Sequence, residues 1–392
     1  MILSKLSDNF VFKTLKYIQY GYLKLTNYNG DVYYFGNEKE DLKAEIKIKK
    51  PDFTLNLIKN GSIGLAESYM KDEFETNNLS NLIELTAKNI DIIYKFSGIF
   101  DLSAINYLKN KFVKNTKERS KKNIAQHYDL GNEFFSVWLD ESLTYSSAIF
   151  GQKNQKLEDA QQNKYEKLAN LLSLKDGNKL LEIGCGWGGF AEYLAKKYDV
   201  KLDCITISKK QYEFSKERIY KCGLNHKVNI EMIDYRDVKR KYDAIASIEM
   251  IEAVGKDYLH QYFQSIKKNL VDNGKAGIQA ITIDDKYFNR YKSKQDFIQK
   301  YIFPGGFLPS KKILYNYANI NGLKVRTYNS YGPHYSDTLI LWRDAFLKKW
   351  DLISKQGFDA TFKKMWNFYL SYCEAGFKSK NIDLIQFSLQ NR

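Results

Sequence analysis

From about residue 160 onward, short apolar runs alternate with amphipathic stretches. KLLEIG (179–184) has the look of a buried strand closed by glycine, and FAEYLAKKY, which follows, has helical spacing. KLDCITI (201–207), VNIEMID (228–234), YDAIASI (242–248) and AGIQAITI (276–283) predict four more strands. KKQYEFSKERIYKCG and DYLHQYFQSIKKNL supply helices between them, the first closed by Gly223 as a C-cap. Such alternation predicts an α/β fold with a doubly wound, mostly parallel sheet. After about residue 300 the pattern gives two helical stretches, with TLILW (338–342) as a late strand.

The N-terminal region has another period. YGYLKLTNYNGDVYYFG and AEIKIKK alternate as strands do, and Asn29-Gly30 marks a hairpin turn. Helical patterns follow from about 53 to 110. These features predict a small N-terminal α+β domain over residues 1–105, without an evident catalytic cluster. KNKFVKNTKERSKK (109–122) then carries seven basic residues and one Glu. It suits a solvated basic linker, placed at 106–125, or a membrane-facing segment between two domains. Residues 126–392 are left as the catalytic domain.

The 392 residues include 61 Lys+Arg and 46 Asp+Glu, a net charge of +15. A surface of that sign favours polyanions, either nucleic acid or anionic phospholipid headgroups. Cys185, Cys204, Cys222 and Cys373 are scattered, with no CxxC pair and no zinc spacing, so no metal is expected and a reduced, cytoplasmic setting fits. Lys and Asp interrupt the N-terminal stretch, which argues against a signal peptide. No uncharged apolar run reaches the ~18 residues that a membrane span requires.

EIGCGWGGF sets Gly184, Gly186, Gly188 and Gly189 between a strand and a helix, where the backbone turns tightly and approaches a ligand closely. A dinucleotide site wants an acid at the end of the second strand. That strand ends here in TISKKQ, with Thr206, Ser208 and Gln211 as neutral hydrogen-bonding groups. The third ends in Asp234-Tyr235-Arg236: a carboxylate suited to an adenine amino group and a ring suited to stacking. Strand ends of this kind aimed at one crevice suit S-adenosylmethionine better than NAD.

Further blocks occur in order: QHYDLGNEFFSVWLDESLTYSSAIF (126–150), IEAVG, FIQKYIFPGGFLPS (297–310) and PHYSDTLILWR (333–343). With the glycine turn and TISKKQ, the chain resembles the cyclopropane-fatty-acyl-phospholipid synthase family, which includes the mycolic acid cyclopropane synthases. GSIGLAESYMKDEFE (61–75) extends the resemblance toward the N-terminus. The resemblance implies a class I methyltransferase fold and transfer of the S-adenosylmethionine methyl carbon to the cis double bond of an unsaturated acyl chain. In membrane phospholipids this gives cyclopropane fatty acids. It also implies a peripheral position at the inner face of the membrane, an anionic membrane surface as partner, a homodimer, and a bound bicarbonate as the base. The alternative outcomes are a methyl-branched or methylenated chain, or another substrate.

The resemblance also assigns residues. Glu252 falls on the family's bicarbonate-binding glutamate and Tyr335 on its tyrosine. Cys373, in YLSYCEAGF, matches a cysteine proposed for the active site. His127, in QHYDL, fits the family motif. Tyr145 and Ser146 are expected at the methionine end of the cofactor, and the glycine turn with Cys185 beneath it. The aromatics Tyr128, Phe134, Phe135, Trp138, Tyr145, Phe303 and Phe307 are expected to wall an acyl channel. Three positions depart from the family pattern. Ser147 stands where many members have cysteine. Gln279-Ala280-Ile281 stands where they have a histidine. Glu249, in SIEMIEAVG, replaces a small residue, and is a candidate to supply the base or counter-charge lost with the histidine. A nucleic-acid substrate is disfavoured, because the fourth strand leads into Glu-Met-Ile-Glu rather than an Asn/Asp-Pro-Pro-aromatic turn. A lipid-binding protein without enzymatic activity is disfavoured by the intact glycine turn, TISKKQ and Asp234.

Overall fold

The structure is a computed structural model that describes residues 2–97, 117, 119–120 and 130–391. Most of the basic segment 106–125 therefore lies outside the described residues. The chain divides into two compact units, each assembled from three separate segments.

The first unit comprises 1–112, 290–302 and 350–381. Its four-stranded sheet has the order β2-β1-β3-β4, from Tyr22–Thr26 (β1), Val32–Gly36 (β2), Lys43–Ile48 (β3) and Phe74–Glu75 (β4). The Asn29-Gly30 turn joins β1 and β2 as an antiparallel pair, while β3 runs parallel to β1. Alternate residues Ala44, Ile46 and Ile48 of β3 point into the core. The sequence places a single boundary near 106–125, yet the Ala360–Lys378 helix belongs with this N-terminal unit. Its Glu374 accepts the buried Ser80 hydroxyl at 2.8 Å, and its Phe368 packs on Tyr69. Complementary buried faces drew a distant segment into the first unit, which local patterning cannot reveal.

The second unit comprises 113–289, 303–349 and 382–392. Its seven-stranded sheet has the order β10-β11-β9-β8-β5-β6-β7. Lys179–Ile183 (β5), Lys201–Thr206 (β6), Val228–Met232 (β7), Tyr242–Ile248 (β8) and Leu270–Ile283 (β9) pair in parallel. Leu323–Ser330 (β10) and Ile382–Asn391 (β11) complete the sheet with antiparallel pairing. The expected strand TLILW is instead part of the Gly332–Lys348 helix. Pro333 starts that helix in its first turn, and Leu339, Trp342 and Phe346 recur on one buried face. Gly223, at φ 68°, closes the Lys209–Lys221 helix as expected.

Candidate active site

β5 ends at a turn held by two hydrogen bonds. The N–H groups of Gly184 and Cys185 both donate to the Ile205 carbonyl, at 2.9 and 3.0 Å. Gly184 (φ 81°), Gly186 (φ 53°) and Gly188 (φ 83°) are left-handed. A Cβ on Gly184 would come within 2.8 Å of Met250, whereas one on Gly186 would meet nothing within 4 Å. The backbone at Gly186 thus borders open space wide enough for a ligand to approach. The Cys185 thiol is buried and stays protonated, since burial pushes its pKa well up.

The next two strand ends carry the polar groups expected there. Thr206 Oγ1 donates to Gln211 at 2.8 Å and accepts the Ser208 N–H at 3.1 Å. The Ser208 hydroxyl caps the following helix by accepting from Gln211 N. Asp234 caps a short turn and pairs with Arg236, which donates Nε to one oxygen at 2.8 Å and Nη2 to the other at 2.6 Å. Burial opposes the Asp234 charge, but the Arg236 bonds outweigh it and hold the carboxyl below its ordinary value. The Arg236 guanidinium also lies 5.5 Å from the centre of the Tyr235 ring. Asp234 and Tyr235 are thus fixed by Arg236 at the crevice rather than by each other. The donor set fits a nucleoside and a charged amino-acid moiety.

The Tyr145–Ser147 segment runs past a deep polar cluster. The Tyr145 ring packs among Phe135, Trp138 and Trp342. Ser146 accepts the Lys164 ammonium at 2.7 Å. Ser147 donates its backbone N–H to Glu249 Oε1 at 2.9 Å, and its hydroxyl turns away to the Ala148 carbonyl. Ser147 thus reaches the cluster through its main chain and not through its side chain.

Glu249 follows β8 in a left-handed conformation, φ 48°. That conformation costs a non-glycine residue about 1–2 kcal/mol. Three donors converge on its carboxylate: Ser147 N, Gln279 Nε2 at 2.8 Å and the Tyr335 hydroxyl at 2.7 Å. Both Glu249 and Glu252 keep partial exposure as residues, yet their carboxylates lie deep. Burial raises the Glu249 pKa, and Tyr335, Gln279 and the Lys164 charge offset only part of that rise. Glu252 differs. Its Oε1 accepts the Ile281 N–H at 2.5 Å, and its Oε2 is buried without a partner among the described residues. Burial, and then the charge of Glu249, push Glu252 up to about 8. The two glutamates therefore differ in their surroundings: three donors favour the charged form of Glu249, whereas Glu252 has a single backbone donor and is pushed further toward its neutral form.

The mycolic acid cyclopropane synthetase family model matches residues 115–387. The chain belongs to that family. It is 34% identical over 351 residues to the tuberculostearic acid methyltransferase UfaA1 of Mycobacterium tuberculosis, covering 87% of this chain and 82% of that protein. It is 33% identical over 347 residues to the cyclopropane-fatty-acyl-phospholipid synthase of Escherichia coli K12, covering 88% and 87%. Among solved structures, mycolic acid cyclopropane synthase CmaA1 complexed with SAH and CTAB superposes with a TM-score of 0.65 at 29% identity, covering 69% of this chain and 98% of that chain. Cyclopropane synthase MmaA2 from Mycobacterium tuberculosis gives 0.65 at 26%, covering 72% and 100%. The fold is that of class I methyltransferases, and the protein is an S-adenosylmethionine-dependent methyltransferase.

Within this family member, the structure brings Glu249, Glu252, Ser147 and Tyr335 together around β8 and β9. Cys373 belongs to the first unit. Burial and the nearby Asp296 charge hold its thiol protonated, and no cation is among the causes that would favour a thiolate. His127 and Tyr128 lie outside the described residues. Ala280 indeed offers no side-chain bond, but its neighbour Gln279 does, and the sequence reading passed over it. Gln386 was missed as well: its amide donates to Gln279 Oε1 at 2.9 Å and so fixes which way the Gln279 amide points. Both glutamines interrupt otherwise apolar strands, AGIQAITI and IDLIQFSL, and that interruption was the available signal. Lys164 was missed too, although it stands between Ala160 and Leu168 on the apolar stripe of its helix.

Proposed function

We propose that the enzyme transfers the methyl carbon of S-adenosylmethionine to the cis double bond of an unsaturated fatty acyl chain in a membrane phospholipid, with Glu249 as the base. The observation that carries this reading is the Glu249 carboxylate held by Tyr335, Gln279 and Ser147 N. The names of the relatives supply the lipid class: an Escherichia coli protein named for fatty-acyl phospholipid and a mycobacterial one named for a fatty acid.

S-adenosylmethionine would be held by the Gly184–Gly188 turn, Thr206, Ser208, Gln211 and Asp234, and supplies an electrophilic methyl. Addition of that methyl to the alkene leaves a carbocation on the acyl chain, which must then lose a proton. Glu249 takes that proton, and the freed electron pair closes a cyclopropane ring. A bound bicarbonate is not needed on this reading, because the three donors that would hold it already hold a carboxylate of the chain. Glu252, as a neutral acid at Ile281 N, lowers the negative charge in the cluster and leaves Glu249 as its one anion.

A second reading has its own support. Glu249 is a carboxylate where the family pattern has a small residue, and the relative UfaA1 is named for methyl transfer rather than for cyclopropanation. If the hydride next to the cation shifts before Glu249 acts, the product is a methylenated chain. Expression in a host lacking such activity, followed by mass spectrometry and proton NMR of the new fatty acid, decides the matter. An acyl chain one CH2 heavier supports the proposal, and NMR separates ring CH2 from exocyclic =CH2. No new acyl species, despite S-adenosylmethionine binding, sinks it.

The charge of +15 fits docking on anionic headgroups, each basic residue near the surface contributing ~1 kcal/mol. Among the described residues no helix is long and apolar enough to cross a membrane. The enzyme on this reading works from the inner membrane face as a peripheral protein.

A further inference from the structure

One cation in the interior of the second unit is left unused by the chemistry above. Lys164 projects from the Leu157–Leu172 helix and is 0% exposed. Its ammonium donates to Ser146 Oγ at 2.7 Å and lies 4.5 Å from the centre of the Tyr165 ring. Among the described residues it makes no direct ion pair. A helix position between Ala160 and Leu168 would ordinarily take an apolar side chain, and a charge without an ion pair is costly there.

Charges from three other elements reach it: Glu249 after β8, Asp140 after the Asn132–Trp138 helix, and Glu182 in β5. Glu252 and Tyr335 face Glu249 in turn. Burial lowers the Lys164 pKa to about 7, and the three carboxyl groups oppose that drop.

Two chains of hydrogen bonds connect Lys164 to Glu249. Through its side chain, Lys164 fixes Ser146, and the next residue's N–H donates to Glu249 Oε1. Through its main chain, the Lys164 carbonyl accepts Gln386 Nε2 at 3.3 Å. The same amide donates to Gln279, whose own Nε2 reaches Glu249. We propose that Lys164 is a positioning residue: a buried counter-cation that fixes the Tyr145–Ser147 segment and keeps Glu249 ionised until it accepts a proton. This rests on the reading of Glu249 as base. In that step a C–H bond of the transferred methyl breaks, its electron pair forms the new C–C bond to the cationic carbon, and the proton passes to a Glu249 oxygen rather than to Lys164.

Lys164→Met keeps the length of the stem and removes the charge. The full-length protein is assayed on vesicles of dioleoyl phosphatidylglycerol by S-adenosylhomocysteine release, with S-adenosylmethionine affinity from calorimetry. Loss of a neighbouring positive charge raises a carboxyl pKa by about one unit or more, so the acid limb of the kcat–pH profile moves up by that amount. On the acid limb kcat falls about tenfold at a given pH and recovers as pH rises, while affinity for S-adenosylmethionine stays within about threefold. A soluble Lys164→Met enzyme with an unmoved acid limb overturns the proposal. If that variant does not fold, Ser146→Ala, which removes the hydroxyl partner of Lys164, gives a smaller shift of the same sign, and its absence overturns the proposal equally. Glu249→Gln separates the two ideas. Wild-type turnover in Glu249→Gln overturns the base reading itself, whereas an inactive Glu249→Gln beside an unmoved Lys164→Met profile overturns only the role of Lys164.

Discussion

The Tyr335 phenol donates to Glu249 Oε2 at 2.7 Å, from a helix that begins more than eighty residues further along the chain. It is the side-chain hydroxyl donor on this carboxylate. A hydrogen bond to a charged group contributes about 1.5–3 kcal/mol. Tyr335→Phe should therefore reduce kcat by roughly ten- to a hundredfold. KM for S-adenosylmethionine should change little, because Tyr335 does not belong to the crevice formed by the glycine turn. Steady-state kinetics with each substrate varied in turn checks both parts.

Glu249→Gly removes a strained left-handed residue, but it also leaves Ser147 N, Gln279 and Tyr335 without their acceptor. Relief of about 1–2 kcal/mol does not offset three lost bonds of ~1 kcal/mol or more each, so the variant is expected to be less stable. Its turnover should fall at least about a hundredfold, as for loss of a general base. Added bicarbonate should restore part of that activity, since the three donors then have a small carboxylate to hold. The wild-type enzyme should be indifferent to bicarbonate. Turnover measured in carbonate-free buffer and again with bicarbonate tests the pair.

Glu252 carries a pH signature. Its folded-state value of about 8 exceeds the ordinary 4.5. Between those values the folded chain keeps a proton that the unfolded chain has lost, so stability from this group is full below about 4.5 and drains away as pH rises toward about 8. The slope is at most roughly 1.4 kcal/mol per pH unit. Glu252→Gln abolishes it. Urea unfolding at pH 5, 6 and 7 should show the variant gaining on the wild type at each step. Lys164 acts with the opposite sign, but only above about 7. Parallel curves for the two proteins would refute the assignment of a neutral acid at Glu252.

Docking by charge is sensitive to salt. With a net charge of +15, turnover on anionic vesicles should decline as ionic strength rises through the range where screening shortens to about 10 Å and below. Turnover on lipid dispersed in neutral detergent should hold steady. Salt-insensitive turnover on the vesicles would remove the electrostatic account of membrane contact.

The parallel strands β5 to β9 were legible because each contains a short apolar run, and all but β8 end where a turn or a helix start is written in Gly, Ser or Asp. Gly223, the Asn29-Gly30 hairpin and the glycine turn were legible for the same reason: each requires a backbone conformation that few residues adopt. TLILW was misread because four consecutive apolar residues satisfy either period. Pro333 and the wider spacing to Phe346 decide in favour of a helix only when the window is lengthened. In the candidate site, Glu252 and Tyr335 were singled out through resemblance and Glu249 through its departure from it. Gln279, Gln386 and Lys164 escaped because their bonds run to other groups of the cluster. Each is a polar residue on an apolar face, and which neighbour it serves depends on pairings across the sheet, such as Gln279 opposite Gln386 in β9 and β11.

The three-segment make-up of each unit has a consequence for biogenesis. Neither unit is complete until the C-terminal part of the chain has left the ribosome: the first waits for the Ala360–Lys378 helix, and the second for β11, which seats between β9 and β10. Strand β9 therefore emerges with one edge unpaired for as long as it takes to make about a hundred further residues, at roughly 5–20 residues per second. A nascent chain with such an edge is a natural client for a chaperone. A chain that stops before residue 360 lacks both the Ala360–Lys378 helix of the first unit and β11 of the second.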